Sequence, residues 1–95
     1  MKASEIQVSN VASYLKLEAG EYEEQDIQTL LTAAKAFIKS YTGLNEEEID
    51  VHEDFVIVVY ILCQDMHDNR TLYVEKSNLN KVVDTILGMY SVNLL

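Results

Sequence analysis

Apolar residues recur along this chain at helical spacing, and one stretch sets the frame for the others. Phe55 to Leu62 is an unbroken run drawn from Phe, Val, Ile, Tyr and Leu, which taken alone fits a buried strand. Its setting fits a helix. Glu53 to Arg70 passes with no Gly or Pro, and Phe55, Val58, Val59, Leu62 and Met66 fall at i, i+3, i+4, i+7 and i+11, the spacing of one helix face. Ile57 and Ile61 then lie on nearly the opposite side, which in the second half of the helix becomes Gln64, Asp65 and Asp68. A helix apolar on two sides needs cover on both, and so short a chain rarely wraps one helix completely. The second face, Ile57, Ile61 and Tyr60, therefore meets either another subunit or the N-terminal segment of its own chain.

The remaining elements follow from the same pattern. Val8, Val11, Ala12 and Leu15 predict a short first helix within Val8 to Leu17, with Ser4, Gln7 or Ser9 as start points. Glu18 to Glu24, acidic and containing Gly20, reads as a connection. Ile27, Leu30, Leu31, Ala34, Ile38 and Tyr41 form the cleanest stripe, a helix capped by Asp26 and stopped by Gly43. Its alanines, Ala33, Ala34 and Ala36, leave room for another helix to approach closely. Leu44 to His52 has no sustained period and reads as an acidic loop with room for one helical turn. After Arg70 a mixed connection leads to Ser77, the expected cap of a last helix in which Leu79, Val82, Val83, Ile86 and Tyr90 share a face, with Gly88 fraying its end. The prediction is an all-α fold: one domain over residues 1–95, a small bundle of about four helices around a long central apolar one.

Charge narrows the partners. Seven Lys and Arg against sixteen Asp and Glu give a formal net charge of -9, which repels a nucleic-acid backbone and an anionic membrane alike. The one cysteine, Cys63, excludes an internal disulfide, and the first residues lack the basic-then-apolar pattern of a signal peptide, so a cytoplasmic setting is expected. Asn69-Arg70-Thr71 matches the glycosylation triplet only formally.

Catalytic patterns are missing: no glycine-rich phosphate loop, no G-x-S-x-G and no H-E-x-x-H. Cys63 and His67 stand one turn apart, but two ligands do not make a metal site, and no cofactor is expected. The six tyrosines, at 14, 22, 41, 60, 73 and 90, suit contact surfaces or the rim of the core. Arg70, the sole arginine, suits either a bidentate pair with a carboxylate or a helix-end cation.

In order and spacing, these elements resemble a known family. A short helix ends in Tyr14-Leu15-Lys16-Leu17, an acidic spacer follows, and the next helix carries Ala33-Ala34 and closes on Ile38-Lys-Ser-Tyr41-Thr-Gly43. An irregular segment leads to the long apolar helix closing on His67-Asp-Asn69-Arg70, and a last helix reaches Tyr90. Over nearly its whole length the chain is similar to the head-tail connector (head-completion or adaptor) proteins of tailed bacteriophages, many of which have Tyr where His67 stands and a proline before the long helix.

The resemblance implies a structural subunit, not an enzyme. It implies a ring that docks on the portal protein, contacts other connector or tail proteins, and continues the DNA channel toward the tail. Glu46, Glu47, Glu48 and Asp50 would line the channel, where like charge lets DNA pass without holding it. Ile57, Tyr60, Ile61 and Arg70 would meet the neighbouring subunit, and the C-terminal region, with Ile86, Tyr90, Leu94 and Leu95, would dock on the portal. The setting implied is the host bacterial cytoplasm during assembly and the head-tail junction of the virion afterwards. A different class of function also fits the charge: an acidic helical regulator, or a DNA mimic, that binds another protein.

Overall fold

A computed structural model describes residues 1–72 and 79–90 of the chain, and every described element is helical. Five α-helices follow one another: α1 (Val8–Tyr14), α2 (Glu24–Thr42), α3 (Glu46–Val51), α4 (Asp54–Asn69) and α5 (Lys81–Tyr90), with a single 3-10 turn at Ala3–Glu5 before α1.

The centre is α2 against α4. Ile27, Leu30, Leu31, Ala34 and Ile38 of α2 are buried, as are Phe55, Val58, Val59, Leu62, Cys63 and Met66 of α4. Each set follows the stripe expected from its spacing, except that Tyr41 of α2 is half-buried and that Cys63 is added in α4 as a small apolar residue. Ile27 and Leu30 border one groove with Met66, while Lys35 and Ile38 border a crevice with Val59, so the two helices run antiparallel. Helix α1 lies on this pair and inserts Val11 and Ala12. Helix α5 covers α4 and α2 from the other flank with Val83 and Leu87. The 3-10 turn and the residue after it bury Ala3 and Ile6 against α3 and α4.

Local chemistry sets the ends. Helix α1 stops at Tyr14, short of Leu17, because Lys16 adopts left-handed backbone (φ 61) and the Leu17 N–H returns 2.9 Å to the Ala12 carbonyl. Helix α2 begins two residues before the expected cap: Glu23 is its N-cap, and Asp26 sits in the first turn, where the helix dipole favours a carboxylate. Gly43 (φ 75) ends it as anticipated, and the buried Thr42 hydroxyl donates to the Ile38 carbonyl at 2.7 Å while accepting from the Leu44 N–H at 3.2 Å.

The expected loop at Leu44 to His52 is largely helix α3. Asn45 accepts from the Glu48 N–H at 2.8 Å and Glu48 accepts from the Asn45 N–H at 3.0 Å, a reciprocal cap that needs only this Asn-x-x-Glu spacing. Ile49 anchors the short helix in the core.

Helix α5 also differs from expectation. It starts at Lys81, with Asn80 accepting from the Val82 N–H at 2.8 Å, so Leu79 precedes the helix; Ser77 lies outside the described residues. The inward stripe is Val83 and Leu87 with Ile86 and Tyr90 half-buried, while Val82 points outward at 51% exposure. Gly88 does not fray the end, because the helix continues through it to Tyr90.

Candidate functional site

The second face of α4 is partly covered by its own chain and partly open. Tyr60 stacks on Tyr14 of α1 with ring centroids 4.9 Å apart and planes 10° from parallel, and its hydroxyl approaches the Met1 sulfur at 3.9 Å. The N-terminal segment thus takes one side of this face. Ile57 stays 39% exposed, while Ile61 is half-buried and packs against the core. Met1, Glu53, Val56, Ile57 and Tyr60 line a shallow depression of about 290 Å³, bordered by side chains exposed as much as Met1 at 56% and Tyr14 at 38%. The depression is thus walled by partly exposed apolar and aromatic side chains.

The four acids expected to line a channel do not act as one group. Glu46 and Glu47 are exposed on α3. Glu48 is engaged in capping its own helix. Asp50 accepts from the Ser4 hydroxyl at 2.6 Å and from the Ser4 N–H at 3.0 Å, which ties the N-terminal turn to α3. The hydroxyl bond, chiefly, holds its carboxyl below the usual carboxylate range, with Lys2 and Lys35 adding to the effect.

At the far end of α4, Arg70 takes left-handed backbone (φ 55) as the helix-ending residue, and the Thr71 N–H reaches back 3.0 Å to the Met66 carbonyl. Among the described residues no carboxylate pairs with it. It borders an open groove of about 690 Å³, shared with Glu21 and Glu23 from the approach to α2 and Asp26 from its first turn.

The residues expected to dock on a portal divide similarly. Leu94 and Leu95, like Tyr73, lie outside the described residues. Ile86 is half-buried, and outward of it Val82 and Met89 are exposed. Tyr90 is turned to its own chain: its ring stacks on His52 at 4.1 Å and leans on Phe55 at 5.2 Å, and its hydroxyl donates to Asp54 at 2.9 Å. That bond, with Asp54 as acceptor, raises the phenol above its usual range. Tyr41 likewise donates to Asp84 at 3.4 Å, so α5 is held by a Tyr-Asp contact toward each end. The Tyr90 ring contacts could not be read from its spacing, because His52 lies outside any helix.

Two further groups bear on chemistry. Cys63 is buried and its thiol is pushed up to about 12 by burial, whereas His67 one turn on is exposed, so the two do not converge. Among the described residues no group of three His, Cys, Asp or Glu side chains could hold a metal ion, and no described helix is long and apolar enough to cross a membrane.

The described residues thus define a small all-α protein with an open apolar face on its central helix. No protein-family model matches the chain, and no curated protein or solved structure matches it.

Proposed function

We propose that the chain is a structural subunit of a tailed bacteriophage or prophage, a head-tail connector that docks on the portal as a ring and continues the DNA channel toward the tail. The observation that carries this reading is the open face of α4, with Ile57 at 39% exposure on an otherwise well-packed helix. Such a face is costly to leave wet in a finished particle and useful in a subunit that waits for a partner. The resemblance in helix order and in the Tyr14-Leu15-Lys16-Leu17, Ile38 to Gly43 and His67 to Arg70 closures supplies the assembly.

The net charge of -9 supports the same reading, since like-charged copies stay apart until a partner gathers them, and DNA passes an acidic lumen without being held. Glu46 and Glu47 are the lumen candidates, being free of the local duties that occupy Glu48 and Asp50. The outward residues of α5, Val82 and Met89, with the half-buried Ile86 beside them and the C-terminal tail, supply the portal contact.

The direct test mixes the purified chain with portal rings of the phage or prophage that encodes it and follows co-sedimentation across salt concentrations. Binding is expected, with several copies per ring; no binding at any salt removes the reading. Genes for portal, capsid and tail proteins are expected beside its own.

A further inference from the structure

The open face of α4 carries a charge pattern that specifies what can cover it. Between Lys39 and Arg70 the chain has no Lys or Arg and eight Asp or Glu. Along the outward ridge of α4, Glu53 stands four residues before Ile57, and Asp65 and Asp68 stand four and seven after Ile61, so carboxylates bracket the apolar centre at both ends. Glu53 to Asp68 spans about 22 Å of helix, roughly four turns. At the far end, burial and the neighbouring Asp68 both raise the Asp65 carboxyl, and among the described residues Asp68 has Gln64 at 2.8 Å and His67 at 3.8 Å beside it. Lys2 and Lys35 act on Asp50, and Arg70 borders the groove beside α2.

We propose that this face docks a cationic amphipathic segment of another protein, its apolar side chains on Met1, Ile57, Tyr60 and Ile61, its Lys or Arg side chains at Glu53 on one side and Asp65 and Asp68 on the other. A second copy of the chain fits poorly, because two such faces bring net charges of -9 together and set acid against acid. A helix of about four turns with apolar residues at i, i+3, i+4 and i+7 matches both the length and the bracket. Under the connector reading this segment belongs to the partner on which the ring assembles, and copy-to-copy contact at Ile57 gives way to that partner. The docking chemistry itself does not depend on that reading.

The experiment titrates the full chain, with labelled isoleucine methyls, with three synthetic helical peptides of equal length: Leu/Lys amphipathic, Leu/Glu amphipathic, and a Lys/Gln peptide without apolar residues. The Leu/Lys peptide is expected to shift the Ile57 and Ile61 methyls, with affinity falling as salt rises, and the other two to leave them in place. Ile57→Ser is expected to weaken binding, and the double variant Asp65→Asn, Asp68→Asn to weaken it about threefold to tenfold while abolishing much of the salt dependence. Equal response to the Leu/Glu or the Lys/Gln peptide overturns the proposal, as does a Leu/Lys footprint on α2 or α3 with Ile57 and Ile61 unmoved. A doubling of mass in light scattering at the titration concentration, with no peptide present, assigns the face to a second copy and overturns it too. No portal is present in this assay, so its failure and a failure of portal binding are read separately.

Discussion

Lys16 and Arg70 occupy left-handed backbone at helix ends where α2 uses Gly43 for the same turn. A side chain there meets steric resistance that glycine escapes. Lys16→Gly is therefore expected to raise stability by about 0.5–1 kcal/mol, measured as a higher urea midpoint with unchanged slope. The two ends were only half legible. The sequence offers no glycine at either, so the apolar spacing carries the first helix on to Leu17, and only the return of the Leu17 N–H to the Ala12 carbonyl shows where it stops. Cys63 shows the same limit from another side. One turn from His67 in sequence, it is buried in the core while His67 is exposed, a difference that spacing alone does not reveal.

At the scale of the element, α4 has one face that is all core and one that is not, and the two should answer differently to substitution. Phe55 is fully buried and central, so Phe55→Ala is expected to cost about 3–5 kcal/mol, enough to unfold much of so small a domain. Ile57→Asp should change stability by about 1 kcal/mol or less and leave the helical circular dichroism intact, because the side chain already meets water. Loss of the fold in Ile57→Asp would return that face to the core. Most of the buried stripe in α2 and in α4 was readable, since long regular helices repeat their signal several times, but Tyr41 is half-buried and the buried Thr42 and Cys63 fall outside the expected stripes. Short α3 repeats nothing, and its reading as a loop overlooked the one local cue, Asn45 and Glu48 at capping-box spacing. In α5 the apolar residues allow two stripes, and only contact with α4 and α2 selected Val83 and Leu87 over Val82.

For the whole molecule, distant segments are joined by polar contacts whose strength depends on pH. Ser4 on the N-terminal turn and Asp50 on α3 are far apart in sequence, and their two hydrogen bonds favour the ionised carboxyl. The Asp50 value is lowered by folding, so this contribution is present above the ordinary carboxylate range and is lost as pH falls through the depressed folded value. Asp65 has the opposite sign, its folded value being raised, so total stability on the acid side mixes the two. The difference between the wild type and Ser4→Ala isolates the first: a stability gap at neutral pH that closes on acidification, followed by urea titration at each pH. A gap that stays constant with pH would mean that Ser4 acts through packing alone.

The sequence by itself determined the helical class, the two long apolar stripes, the Gly43 stop and the acidity, because periodicity, backbone freedom and charge are properties of residues and their near neighbours. Only the tertiary structure decided what covers each stripe. Met1 and Tyr14 shelter Tyr60 yet leave Ile57 open, Ser4 takes up Asp50, and His52 and Asp54 turn Tyr90 inward. Those pairings link residues 36 to 59 positions apart, or join segments with no shared period, and no local rule of spacing reaches that far.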